Sequence, residues 1–138
     1  MFWRIFRRGL SSGFQITLEL AKAIVPVYFI ITFLKYSPLL DMLSLWCQGF
    51  MAYVGLPGEA ALPLVIGNAL NLYPAVGAIE ALSLTGKQIT IIAVMLLFSH
   101  SLFVELAVTK KAGVKILPVL ALRIGLAISA GILLNYVL

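Results

Sequence analysis

Five side chains in this polypeptide combine useful chemistry with a setting that makes them costly. They are Asn68, Asn71, His100, Glu105 and Arg123, each standing in or beside a run of apolar residues. Asn68 and Asn71 are three apart, the spacing that puts two residues on one face of a helix. An amide side chain both donates and accepts hydrogen bonds, so this pair suits a neutral, hydrogen-bonding solute. His100 and Glu105 are five apart, about 140° around a continuous helix, and on that geometry they do not converge on one metal ion. A single imidazole without a second nitrogen or sulfur ligand is a poor metal site, so neither a metal nor a cofactor is expected. No strand–turn–helix setting presents a nucleophile to His100, so the chain does not read as an enzyme. The lone Cys47 excludes an internal disulfide and reads as a small buried hydrophobe.

These polar groups matter because the rest of the chain is so apolar. Of 138 residues, 62% are hydrophobic, and the mean hydropathy is +1.10. Windows 42–58, 60–79, 88–99 and 124–138 contain no acidic residue, basic residue or histidine. A water-facing exterior cannot be built from such a composition, so the bilayer is the solvent. Each polar group inside an apolar window then needs a partner, and intramembrane ionisable residues are functional candidates by default. The net charge of +5 is no sign of nucleic-acid binding. The basic residues gather at window edges, Arg4, Arg7 and Arg8 at the start and Lys110, Lys111 and Lys115 between the last two windows, where membrane topology calls for them.

The chain reads as one all-α, polytopic membrane domain over 1–138. At about 20 residues per crossing there is room for roughly three to five spans. Continuous apolar runs without in–out alternation exclude a lipid-facing β-barrel. Residues 1–12 read as an interfacial amphipathic helix, with Phe2, Trp3, Phe6 and Leu10 on one face and the three arginines largely on the other. Glu19 and Lys22 interrupt the apolar stretch that follows, which argues against a cleaved leader; three apart, they can also pair near the surface. A first span is expected over 14–35, kinked near Pro26. Residues 39–86 form a broken or re-entrant region. Its first part, 39–54, is short for a crossing. Its second part is punctuated by Gly55, Pro57, Gly58, Pro63, Gly67, Pro74 and Gly77, which predicts short helices over 59–70 and 75–84 with a break at Asn71–Pro74. Backbone broken at membrane depth survives only inside protein or beside a watery cavity, and paired short helices of this kind point to a solute site. Spans over 88–109 and 114–138 complete the chain.

The two basic clusters predict a cytoplasmic N-terminus and a cytoplasmic 110–115 turn. An even number of crossings must therefore separate residue 14 from residue 109. In an antiparallel hairpin about the 110–113 turn, His100 and Arg123 both fall roughly 13 Å from the turn. Glu105 lies nearer the surface, within reach of the long Arg123 stem. This predicts a Glu105–Arg123 ion pair with His100 beside it, serving either a binding site or the hairpin itself. Ala121, Gly125 and Ser129 form a small-residue stripe that lets another helix approach closely, while Arg123 points about 200° away from Gly125. Two faces of the last helix thus want protein neighbours, which predicts an oligomer or a membrane partner.

Three stretches give the chain a resemblance. They are Gly55-Leu56-Pro57-Gly58-Glu59; Gly67-Asn68-Ala69-Leu70-Asn71 with Pro74 and Gly77; and His100-Ser101-Leu102-Phe103-Val104-Glu105 followed by Lys110-Lys111-Ala112-Gly113-Val114. Over about residues 15–120 the chain resembles the nucleoside-recognition, or Gate, domain family, whose members include spore-maturation membrane proteins and inner-membrane proteins. The resemblance implies a helical membrane protein with re-entrant hairpins, one part of a homo-oligomer or of a pair of Gate proteins, that recognises a small polar solute. The ligand-binding candidates are then Asn68, Asn71, His100, Glu105 and Arg123. A non-transporting accessory subunit is the alternative.

Overall fold

The computed structural model describes all residues, Met1–Leu138, and contains only helices and turns. In order these are α1 (Phe2–Lys35), α2 (Pro38–Tyr53), a single 3₁₀ turn (Gly58–Ala60) leading into α3 (Ala61–Ala69), α4 (Leu72–Ala81), α5 (Gly86–Ser99), α6 (Leu102–Lys111) and α7 (Ile116–Val137). Proline placement accounts for much of this pattern. Pro38 opens α2, and Pro63, Pro74 and Pro118 each sit third in α3, α4 and α7. The first four N–H groups of a helix have no intrahelical partner, so a proline there forfeits little. Pro74 therefore belongs to the start of α4 rather than to the break before it. Only Pro26 lies deep inside a helix, and α1 continues through it.

Two glycines end helices by the same device. Gly55 (φ +70°) and Gly113 (φ +77°) adopt the left-handed conformation. After α2, Leu56 N–H donates to Met51 O (3.0 Å) and Gly55 N–H to Ala52 O (3.1 Å). After α6, Val114 N–H donates to Thr109 O (3.2 Å) and Gly113 N–H to Lys110 O (3.1 Å). Both are Schellman caps, which satisfy carbonyls that would otherwise be orphaned.

Three stretches are long and apolar enough to cross a membrane: α1, the α5–α6 pair (Gly86–Lys111) and α7. A fourth, α2 followed by Gly58–Ala69, bends by 87°. Across that bend Gln48 Oε1 accepts from Gly58 N–H at 3.0 Å. Side-chain ties fix which ends meet. Lys35 Nζ donates to Ser83 Oγ (2.7 Å), and Lys87 Nζ donates to Asn135 O (2.9 Å). The end of α1, the end of α4, the start of α5 and the end of α7 are thus together. A Cβ added at Gly55 would collide with the Asn135 side chain, so α2 also finishes at this end, having started beside it at Pro38. Helix α2 crosses the end of the bundle. Helices α3 and α4 form a hairpin that enters from this end and returns to it, with its tip roughly 17 Å along at 1.5 Å per residue. The opposite end carries the basic 110–115 turn.

The packing is made largely from small residues, as expected where lipid removes the hydrophobic drive between helices. Helix α4 buries Pro74, Ala75, Gly77, Ala78 and Ala81. A Cβ at Gly77 would lie 2.5 Å from Ile24 O, so α4 meets the backbone of α1 directly. Ile91, Ile92 and Leu96 of α5 are fully buried in a cluster with Val54, Leu56, Ala60 and Ala127.

Three expectations require correction. Residues 1–12 and 14–35 are one helix: Ser11-Ser12-Gly13 do not interrupt it, and Thr17 Oγ1 donates to Gly13 O at 2.9 Å. Weak helix formers cost less than the backbone bonds a break would lose. Every residue from Met1 to Glu19 is exposed, and Glu19 makes no ion pair with Lys22. Finally, the span predicted over 88–109 is two helices, broken at His100–Ser101.

Candidate functional site

The break at His100–Ser101 lies in a run with neither glycine nor proline. Ser101 takes φ +53°, ψ +37°, a left-handed conformation that costs a non-glycine residue about 1–2 kcal/mol. A neighbour compensates: Ser101 N–H donates to Gly67 O at 2.9 Å. Gly67 lies in the last turn of α3, where its carbonyl would otherwise lack an intrahelical partner. The α3–α4 break and the α5–α6 break are therefore joined, backbone to backbone. Side-chain volume at this contact is minimal, since a Cβ at Gly67 would lie 2.6 Å from Leu96 Cδ2 and 3.2 Å from Ala75 Cβ.

His100, Glu105 and Arg123 converge on this point. Arg123 Nη1 donates to Glu105 Oε2, and Arg123 Nη2 donates to His100 O at 3.3 Å. His100 Nδ1 is 3.9 Å from Glu105 Oε1 and 3.2 Å from Ser101 Oγ. The 140° separation expected of His100 and Glu105 presumes an unbroken helix. The left-handed Ser101 turns the imidazole back toward the carboxylate, so the two do meet. The pairing matches the helix ends: the guanidinium meets a carbonyl at the negative end of α5, and Glu105 stands in the first turn of α6, where the dipole favours an anion. The predicted Glu105–Arg123 pair is present, holding α7 against the break. No three His, Cys, Asp or Glu side chains gather as metal ligands.

The asparagines divide. Asn68 stays on α3, and its Nδ2 donates to Leu64 O at 2.8 Å, but its Oδ1 is buried without a partner. Asn71 leaves α3, becomes the N-cap of α4 and accepts from Tyr73 N–H at 3.0 Å through Oδ1. Extended backbone at Asn71 (φ −165°) removes it from the face it was expected to share with Asn68. No hydrogen bond links either amide to His100, Glu105 or Arg123. Asn68 and Ser99 are the polar members of an otherwise apolar 630 Å³ cavity between α2, α3, α5, α6 and α7. Arg123 Nε is likewise buried and unpartnered. Sequence reasoning passes over Ser101 and the Gly67 carbonyl as functional groups, although both lie inside the stretches that carry the family resemblance.

Residues 17–127, which include all five candidate residues, match the Gate family, described as nucleoside recognition. An uncharacterized membrane protein of Bacillus subtilis (strain 168), YvoD, is 45% identical over 134 residues, which are 97% of this chain and 43% of the relative. The inner membrane protein YjiG of Escherichia coli (strain K12) is 37% identical over 93 residues, 64% of this chain and 60% of the relative. The chain thus spans less than two thirds of either relative. No solved structure is similar to it. With its apolar helices, its two joined breaks and a family match across most of its length, the chain belongs to the Gate, or nucleoside recognition, family of membrane proteins.

Proposed function

We propose that this chain is a solute-recognition or transport unit of a bacterial inner membrane, with its site where the two helix breaks meet. The observation that carries this reading is the Ser101 N–H to Gly67 O bond beside the Arg123–Glu105 pair. Broken backbone and an ion pair at mid-bundle are expensive in hydrocarbon, and transport proteins tolerate them where a polar solute must be held. Asn68 Oδ1, with no partner of its own, accepts from the solute. Asn71, capping α4 through Oδ1, offers its Nδ2. His100, Glu105 and Arg123 form the polar lock behind them. The family's description makes a nucleoside the first solute to test, and the unit works paired or as an oligomer. The basic 110–115 turn and the N-terminus face the cytoplasm, following the bias of Arg4, Arg7, Arg8, Lys110, Lys111 and Lys115.

The test is uridine binding to the purified protein in lipid nanodiscs, read as ligand-dependent thermal stabilisation. Uridine is expected to raise the melting temperature, and Asn68→Ala to abolish that rise while the unliganded protein stays folded. Equal stabilisation of both proteins would remove Asn68 from the site, and no response to uridine or adenosine would remove the nucleoside reading.

A second reading is favoured by one contact, Arg123 Nη2 to His100 O, which uses the arginine as a brace across the helix break. On that reading the chain is a non-transporting accessory subunit and the ion pair is structural. Replacing both partners, Glu105→Gln with Arg123→Met, avoids an orphaned charge. Uptake by the assembly unchanged in that double variant supports the accessory reading, and selective loss of uptake in a folded double variant supports the site.

A further inference from the structure

The 630 Å³ cavity between α2, α3, α5, α6 and α7 has no charged residue in its wall. Its volume is about four times the 150 Å³ of an apolar cavity that holds benzene. Ser99 is buried, and its hydroxyl donates to Met95 O at 2.9 Å. Asn68 Nδ2 donates to Leu64 O at 2.8 Å. Both side-chain donors in the wall are thus spent within their own helices. Asn68 Oδ1 is left over, a buried acceptor without a partner. Such a wall cannot satisfy a solute with several hydroxyls and amides, and it gives a charged one no counter-charge. Its rim is apolar as well: Phe50, Val65 and Phe103 line the cavity and are 56%, 63% and 71% exposed. Asn68 stands about 15 Å from Gly58 along the hairpin, well inside a hydrocarbon layer of about 30 Å. The way in is therefore through lipid rather than through water.

We propose that this cavity binds a long-chain alcohol drawn from the bilayer, with its hydrocarbon in the apolar chamber and its hydroxyl donating to Asn68 Oδ1. The wall selects this class step by step. The occupant reaches the cavity through hydrocarbon, so it is lipophilic and uncharged. It brings a hydrogen-bond donor to the one unused amide oxygen. A phospholipid fails here, because its polar headgroup stays at the membrane surface. An amine would bring a charge, and an amide would add a carbonyl for which the wall has no free side-chain donor. A hydroxyl in hydrocarbon has no partner, and neither has Asn68 Oδ1, so one bond relieves two unsatisfied groups at once. This goes beyond the nucleoside reading by naming a second ligand. The two share Asn68 Oδ1 and exclude one another.

The experiment uses the full chain in lipid nanodiscs and a long-chain alcohol that carries a diazirine in its chain. After photolysis, adducts are mapped by mass spectrometry. They are expected at lining residues such as Met95 and Leu106, several-fold above the exposed Phe29 of α1. Excess dodecanol is expected to suppress them several-fold more than excess dodecyl methyl ether, which keeps the chain but lacks the donor. In Asn68→Leu the two competitors are expected to become equal; the wild-type comparison stands by itself if that variant does not fold. Equal suppression by alcohol and ether in the wild type overturns the proposal and leaves an ordinary acyl chain as the occupant. Labelling as strong at Phe29 as in the cavity, no labelling of the cavity, as when a second copy of the chain covers it, or a preference for the alcohol that persists in folded Asn68→Leu also overturns it. Uridine separates the two readings: alcohol preference without a thermal response to uridine removes the nucleoside alone, and a uridine response without alcohol preference removes this site alone.

Discussion

The two helix breaks that meet in this protein are built on opposite principles. Between α3 and α4 the chain breaks through local chemistry: extended Asn71 caps α4 with its own side chain, and Pro74 occupies a first-turn position where its missing N–H is harmless. Between α5 and α6 nothing local requires a break. Ser101 is held left-handed by a neighbour's carbonyl and by the Arg123–Glu105–His100 contacts. One break belongs to its own segment, and the other is imposed by tertiary structure. A local break survives loss of its surroundings, whereas an imposed break is only as firm as the partner that imposes it.

The sharpest way to test this contrast is to remove the clamp on the second break. Arg123→Met leaves Glu105 without its partner and is expected to cost about 1–2 kcal/mol of stability, less than for a fully buried pair because the two side chains are 21% and 36% exposed. Adding Glu105→Gln is expected to recover most of that loss in detergent unfolding titrations. If the single and double variants unfold alike, the loss comes from the missing clamp itself and not from an orphaned carboxylate. Gly67→Ala acts where the two breaks touch. Its new Cβ meets Leu96 Cδ2 at 2.6 Å and Ala75 Cβ at 3.2 Å, and overpacking of this kind costs about 1–3 kcal/mol. Shortening Leu96 to Val in the same chain is expected to return part of it, as read from melting temperatures; no recovery would mean that the contact with α4, not α5, is decisive.

Smaller effects separate local from imposed geometry more finely. Asn71→Ala removes the cap and is expected to cost about 1 kcal/mol, while Asn71→Gly costs only a few tenths. Amide exchange in α4 is the measurement, and α5–α6 is expected to keep its protection. Ser101→Gly runs the other way. It relieves the left-handed penalty and is expected to stabilise the fold by up to about 1 kcal/mol. A destabilised Ser101→Gly would show that the hydroxyl near His100 Nδ1 (3.2 Å) outweighs the backbone strain.

The same contrast explains what could be read from the residues alone. Apolar windows, Gly55 and Gly113 as helix stops, the interruption near Asn71, and a Glu105–Arg123 pair across the last hairpin all follow from composition, turn chemistry and reach. The break at His100–Ser101 does not, because its cause is the Gly67 carbonyl some thirty positions earlier. The inference that His100 and Glu105 diverge fails for the same reason, since it extends a regular helix through a point where tertiary structure stops it. The boundary drawn after residue 12 fails differently. Ser11-Ser12-Gly13 are poor helix formers, yet in a long helix with no competing partner the backbone bonds prevail. The unpartnered Oδ1 of Asn68 was equally beyond reach, since sequence shows which atoms are polar but not which are left over.

The ties Lys35–Ser83 and Lys87–Asn135 fasten one rim of the molecule. The α3–α4 hairpin is rooted at that rim, and its far end is latched by the bond from Gly67 to Ser101. Held at root and tip, it behaves as a beam fixed at both ends. Only when that single latch opens does it become a cantilever, and a tilt of a few degrees would then be greatest at the tip, where Asn71, Gly67 and the charged trio stand.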